Sequence, residues 1–137
     1  ILDKLKKKYL DNNIQSNIFT FDNDILNSMS KCNIAITRCG ASTIAELVYL
    51  NIPFIGIPFP FAKDNHQFYN AKFYEEKDCC WLYNQKDISL DKMLDLFNSI
   101  IENPNLYLKK YENLSKISYE YDWNNVNKKL IDLLNEN

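Results

Sequence analysis

Between Arg38 and Asn70 the sequence gathers the side chains best suited to holding an anion and a polyol. Arg38 carries a planar fork of N–H donors that matches phosphate or carboxylate oxygens two at a time. It fits two roles equally, facing a diphosphate or pairing with a nearby carboxylate. Gly40 permits a sharp turn and lets a ligand come close to the backbone. Ala41, Ser42 and Thr43 then open a helix with small or hydroxyl side chains. The first amides of a helix have no intrahelical partner, and the helix dipole adds partial positive charge there. Such an end suits a phosphate. Glu46 follows, and it reads in two ways. In Thr43-Ile44-Ala45-Glu46 it completes a capping box. In a helix that starts near Gly40 it points back at a ligand on the amino end. A carboxylate there accepts two hydrogen bonds at once, as a cis diol such as ribose requires.

A second polar group, Asp64-Asn65-His66-Gln67 followed by Asn70, sits among Phe59, Phe61, Phe68 and Tyr69. Asp64 or Asn65 can cap a helix. Capping leaves Gln67 and Asn70 unexplained; they share one helix face, and their amides can read sugar hydroxyls or amide groups. His66 is the only histidine of the chain, and a lone histidine is commonly packed or on the surface. Phe21 is more often a core type, yet at a strand end it can cover a flat base. No Ser-His-Asp arrangement, glycine-rich phosphate loop or general base stands out. The residues predict a binding site that does not catalyse alone.

Alternation of apolar runs and helical periods must position these groups. Ile1–Asp11 has helical spacing, and Asn17–Phe21 reads as a first strand. Asp22 or Asn23 caps a helix to about Cys32. Ile34–Thr37 is a strand covered on both faces, Ser42–Leu50 a helix, Phe54–Ile57 a strand, His66–Lys77 a helix and Cys79–Tyr83 a fourth strand. Three helices follow: Ser89 to about Asn103, Pro104 to about Ser118, and one capped by Asp122. Their stripes Met93, Leu94, Phe97, Ile100 and Leu130, Ile131, Leu134 read as core. The fold class is therefore α/β, a Rossmann-like parallel sheet with flanking helices. Loops at the carboxyl ends of its strands form a crevice. Arg38–Thr43 and Pro58–Gln67 are both such loops.

At 137 residues the chain makes one domain or part of one. It starts at Ile1, inside a helical pattern, which predicts a piece of a longer protein. A net charge of −2 gives no electrostatic case for nucleic acid. The cluster Lys4, Lys6, Lys7, Lys8 reads as a solvated helix face. Cys32, Cys39, Cys79 and Cys80 form no Cys-x-x-Cys pair, so no metal site is expected. Their scatter suits a reducing cytoplasm. The sequence has no signal peptide and no apolar run of membrane-spanning length.

Taken in order, these residues resemble the carboxyl-terminal, donor-binding half of the MurG family of bacterial glycosyltransferases, within the GT-B superfamily. Thr37-Arg38-Cys39-Gly40-Ala41-Ser42-Thr43-Ile44-Ala45-Glu46-Leu47 resembles the family signature. Ile52-Pro53, Ile57-Pro58-Phe59-Pro60, Asp64-Asn65-His66-Gln67 and Asn70-Ala71 resemble its second block, and Phe21-Asp22-Asn23-Asp24 its Phe-x-x-Asp turn. The match is good from about Asn17 to Tyr83, and the last helices match mainly in pattern. The resemblance implies an inverting, metal-independent transfer of N-acetylglucosamine (GlcNAc) from UDP-GlcNAc to lipid I, giving lipid II for peptidoglycan. No cofactor is implied.

It implies site roles as well. Phe21 and the Asp22 backbone lie near uracil, Glu46 holds the ribose, and the amides of Ala41, Ser42 and Thr43 beside Gly40 meet the diphosphate and sugar. Gln67 and Asn70 read the GlcNAc, with His66 beside them; Arg38 belongs to the same set. The acceptor site and the base are expected in an amino-terminal half outside residues 1–137, so the piece alone is expected to be inactive. The whole enzyme is expected on the cytoplasmic face of the inner membrane, peripherally bound. Two alternatives are a GlcNAc transferase subunit acting on dolichol diphosphate, whose signature usually has His in place of Arg38, and a non-catalytic nucleotide-sugar-binding module.

Overall fold

The computed structural model describes residues 1–135. Residues 136 and 137, the last of the expected closing helices, lie outside the described residues. The centre is a parallel sheet of three short strands: β1 (Ala35–Thr37), β2 (Phe54–Gly56) and β3 (Cys80–Leu82), side by side in chain order. Ala35 sits opposite Phe54 and Thr37 opposite Gly56; Phe54 sits opposite Cys80 and Gly56 opposite Leu82. Parallel neighbours need a crossover. Here α3 (Ala41–Tyr49) and α4 (His66–Glu75) supply the two crossovers.

Burial explains the order. β2 is central and buried along its length. Phe54 packs with Ile44, Leu47 and Val48 of α3, Ala71 of α4, and Leu114 and Ile117 of α6 (Asn105–Glu120). One face of the sheet thus holds the core. On the other face lie the register partners Ile36, Ile55 and Trp81. Ile55 is buried, but Ile36 is 55% exposed. The expectation of a β1 covered on both faces fails there.

Gly56 belongs to the covered face. A Cβ on it would stand 2.9 Å from Cys39 Sγ and 3.4 Å from the Ala71 Cβ. The Cys39 side chain stands too close for a Cβ to enter without a shift, and the Ala71 methyl already fills the space beyond. Burial pushes the Cys39 thiol up to about 11 and the Cys80 thiol up to about 12, so both stay protonated packing groups.

At the far end of the sheet, α6 docks through charge. Asp78, in the left-handed conformation, receives Lys110 Nζ at 2.6 Å and Lys109 Nζ at 2.8 Å. Lys110 lies 4.7 Å from the centre of the Trp81 ring and is 8% exposed, a buried cation held by a carboxylate and an aromatic face. Tyr107 ties the same helix to Asn33 O at 2.9 Å.

Several expectations need correction. Asn17–Phe21 is not a strand, and no described strand pairs with the outer edge of β1. The helix after it, α2 (Ile25–Met29), is shorter than expected and is capped by Asp24, not by Asp22 or Asn23. Asp22 instead accepts from the Asp24 amide at 2.9 Å and from the Ser28 hydroxyl, which together hold its carboxyl below the usual range, the Ser28 bond most of all.

The helices α1 (Leu2–Asp11), α5 (Leu90–Glu102) and α7 (Trp123–Asn135) form as periodicity predicts, with Ser89 capping α5 and Asp122 Oδ1 accepting from Asn124 N. Yet none of the three has a fully buried residue. Leu94, Leu130, Ile131 and Leu134 are exposed, not core, and Met93, Phe97 and Ile100 are half-buried.

Candidate functional site

The carboxyl ends of β1 and β2 lead into two loops that brace one another. The first runs Arg38–Gly40 into α3. Gly40 is the N-cap, with φ −66° and ψ 144°, a conformation open to any residue. A Cβ at Gly40 would meet nothing within 4 Å. The expected need for glycine at a sharp turn is therefore absent. Neither backbone conformation nor packing within the chain calls for glycine here, and the space beside it is open.

No side chain caps α3, so the amides of Ala41, Ser42 and Thr43 point to the crevice unmatched. Because the helix starts at Ala41, Thr43 stands third within it and cannot be the N-cap. The capping box Thr43–Glu46 is not formed. Glu46 lies one turn further on, half-buried, and among the described residues its carboxylate has neither a hydrogen bond nor an ion pair.

The second loop runs from Ile57 to Asn65 and enters α4 through a 3-10 turn, Lys63–Asn65. Asp64 and Asn65 both take left-handed angles, φ 51° and 53°, which Asp and Asn tolerate better than most residues. Asn65 occupies the N-cap of α4 but its side chain makes no capping bond. His66 Nδ1 is 2.8 Å from Lys63 O. The carbonyl can only accept, so Nδ1 carries the proton of that bond.

Cross-bracing comes from three side chains. Arg38 Nη1 donates to Ile57 O at 3.2 Å and to Pro58 O at 3.1 Å, and Nη2 donates to Gln85 Oε1 at 2.7 Å. Among the described residues no carboxylate pairs with Arg38. Gln67 Oε1 accepts from Phe59 N at 2.9 Å. In return, Asn70 Nδ2 on α4 donates to Cys39 O at 3.1 Å in the first loop. Arg38 and Asn70 thus tie the two loops, while Gln67 ties α4 to the loop before it; Gln67 keeps its Nε2 donor and Asn70 its Oδ1 acceptor.

The structure joins Arg38, Gln67 and Asn70 into one rim with Gly40, Ala41, Ser42 and Thr43. His66 is adjacent on α4. Phe21 is 77% exposed, and among the described residues neither it nor Asp22 bonds to the crevice loops. Gln85 escaped the sequence reading. The polar run Asn84-Gln85-Lys86 after β3 was its signal, since a third strand ends on the same crevice edge.

A groove of about 290 Å3 runs from this rim between α3 and α4, lined by Ala41, Ala45, Tyr69, Asn70 and Phe73. A larger one, about 610 Å3, lies at the other end of α3 between Tyr49, Tyr74 and Trp123. Size does not decide between them. Ala41, the first residue of α3, and the half-committed amide of Asn70 line the first, and Glu46 and Gln67 stand on the same two helices outside its lining. The arrangement can take an anion on the α3 amides and hydroxyls on Glu46. Among the described residues no cluster suits a metal ion.

The chain matches the glycosyltransferase family 28 C-terminal domain over residues 1–123. It is 47% identical over 135 residues to the UDP-N-acetylglucosamine–N-acetylmuramyl-(pentapeptide) pyrophosphoryl-undecaprenol N-acetylglucosamine transferase of Pelagibacter ubique, covering 98% of this chain and 38% of that protein. The protein of the same name from Rickettsia bellii is 39% identical over 113 residues, 82% of this chain and 32% of its own length. Among solved structures, Acinetobacter baumannii MurG superposes with a TM-score of 0.73 at 23% identity, over 84% of this chain and 33% of that one. The chain thus spans roughly a third of the length of these relatives, and the fold is theirs.

Proposed function

The chain belongs to the glycosyltransferase family 28 C-terminal domain family, and on that premise we propose that it is the donor-binding part of a UDP-GlcNAc–undecaprenyl-diphospho-N-acetylmuramoyl-pentapeptide N-acetylglucosaminyltransferase. The names of the relatives support the reaction. The observation that carries the binding role is the uncapped amino end of α3 with an unpaired Glu46 one turn inside it. In this reading the amides of Ala41, Ser42 and Thr43 take the diphosphate. Helix dipole and unmatched N–H groups favour it there, and Gly40 leaves the approach clear. Glu46 accepts from both ribose hydroxyls, Phe21 and Asp22 lie near the uracil, and Gln67 and Asn70 read the GlcNAc beside His66.

The reaction inverts the anomeric centre. Lipid I and the general base belong to the amino-terminal part that the relatives carry, so this chain alone turns nothing over. The working enzyme sits peripherally on the cytoplasmic face of the bacterial inner membrane. No described helix is long and apolar enough to cross a membrane.

Glu46→Gln tests the reading. In the full-length transferase carrying this chain, calorimetric titration of UDP should show affinity reduced by about 1–3 kcal/mol, the range for losing a charged hydrogen-bond partner. The melting temperature should hold, because among the described residues the Glu46 carboxylate makes no hydrogen bond or ion pair and Gln keeps its shape. UDP with a 2′,3′-dideoxyribose should bind both proteins alike. An unchanged UDP affinity in Glu46→Gln overturns the ribose assignment. GlcNAc transfer to a lipid I analogue by residues 1–137 alone overturns the division of labour.

A further inference from the structure

Resting on the nucleotide-sugar reading, we infer that Arg38 is a positioning residue: it fixes the Pro58–Phe59 peptide so that Gln67 meets the sugar with its Nε2 donor. That one peptide unit is held at both poles. At its oxygen, Arg38 Nη1 donates to Pro58 O at 3.1 Å. At its nitrogen, the Phe59 amide donates to Gln67 Oε1 at 2.9 Å. Rotation of the peptide breaks both bonds. Arg38 is itself held by Gln85 Oε1 at 2.7 Å, by Ile57 O at 3.2 Å, and by the Phe59 ring 5.8 Å from the guanidinium carbon.

A primary amide can present either of its ends to a ligand. Phe59 N–H requires an acceptor, so Gln67 commits its oxygen and keeps only a donor. Asn70 is committed the opposite way, its nitrogen on Cys39 O and its oxygen left over. The crevice therefore turns the donor end of Gln67 and the acceptor oxygen of Asn70 to the sugar in fixed places. A ligand group that meets Gln67 Nε2 must accept, and one that meets Asn70 Oδ1 must donate. A hydroxyl fits either place, and the two halves of an acetamido group fit one each. The charge of Arg38 rests on three neutral oxygens, which leaves the diphosphate to the α3 amides. A guanidinium holds two carbonyls and an amide in one plane; the single ammonium of lysine has no such fork.

The test compares Arg38→Lys, Gln85→Ala and Gln67→Ala in the full-length transferase carrying this chain. The readouts are UDP affinity, KM and kcat with UDP-GlcNAc, the inhibition constant of UDP-glucose, and a thermal melt. Arg38→Lys should lower the GlcNAc-over-glucose preference about tenfold through KM, while UDP affinity stays within about threefold. Gln85→Ala should lower the preference in the same direction by about threefold. Adding Arg38→Lys to Gln67→Ala should cost no further preference, because both act through one amide.

A tenfold or greater loss of UDP affinity in Arg38→Lys with the preference intact overturns the inference, since Arg38 is then a diphosphate ligand. If Arg38→Lys does not fold, Gln85→Ala decides: an unchanged preference overturns the inference. A wild-type protein that binds neither UDP nor UDP-GlcNAc overturns the site reading, and this inference with it.

Discussion

The chain has two glycines, Gly40 and Gly56, and they stand in opposite surroundings. Gly56, on the central strand, is pressed between Cys39, Ala71 and Phe54. Gly40, at the crevice rim, has ordinary backbone angles and empty space where a side chain would go. The first is required by the chain's own packing. The second is required by nothing in the chain. The same residue type thus marks two boundaries: one where the protein meets itself, and one where a ligand would meet it.

The comparison breaks most sharply at Gly56. Gly56→Ala should destabilise the fold by about 1–3 kcal/mol, the usual cost of overpacking a tight core. Denaturant unfolding measures it, and Cys39→Ala in the same chain should restore part of the loss. A Gly56→Ala protein of wild-type stability would show that the Cys39 side chain can move aside without cost.

Gly40→Ala should do the reverse. Its stability should stay within about 1 kcal/mol of wild type, because alanine restricts the unfolded chain more than glycine does but serves an N-cap less well. UDP affinity should fall by about tenfold, or 1.4 kcal/mol, as the methyl enters the space beside the α3 amides. Titration beside a melt reads both quantities. Wild-type affinity in Gly40→Ala would show that the ligand does not approach there.

The smallest effect is expected at Asp78, far from the crevice. Two lysines hold its carboxyl below the usual range, the Lys109 bond first and the Lys110 bond second. Its side chain is partly exposed, so Asp78→Asn should lower stability by only about 0.5–1 kcal/mol at neutral pH. A depressed native value means that this stabilisation is complete above the unfolded carboxyl value, about 3.9, and fades as pH falls through the native value. Wild type and variant should converge in acid. UDP affinity should not change. A difference that persists unchanged in acid would remove Asp78 from the charge network.

The sequence made the alternation β1–α3–β2–α4–β3 legible, because β-branched runs and helical periods are local signals. It also marked the crevice residues that the loops bring together. The strand at Asn17–Phe21 failed for a physical reason. A strand exists through its neighbour, and five residues cannot report whether a sheet edge awaits them. The stripe of α7 failed in another way. Periodicity shows that Leu130, Ile131 and Leu134 share a face, not what covers it. Thr43 and Glu46 satisfy the spacing of a capping box, but Gly40 starts the helix earlier and Thr43 falls inside it. The bracing by Gln85 depends on a contact across 47 residues, which spacing cannot show.

Among the described residues the outer flank of β1 is open, which has a consequence for residues 1–137 in solution. Along a parallel ladder, alternate residues turn their peptide groups to the partner. On β1 these are Ala35, whose N–H donates to Pro53 O at 3.2 Å, and Thr37, whose C=O accepts from Ile57 N at 2.9 Å. The N–H and C=O of Ile36 face away, beside an exposed isoleucine side chain. Unpaired backbone groups next to an apolar patch invite any extended segment to lie alongside, including one from another molecule. Three residues offer little length to hold it. Residues 1–137 on their own should therefore be prone to weak, reversible self-association that grows with concentration and ends when another strand occupies that flank.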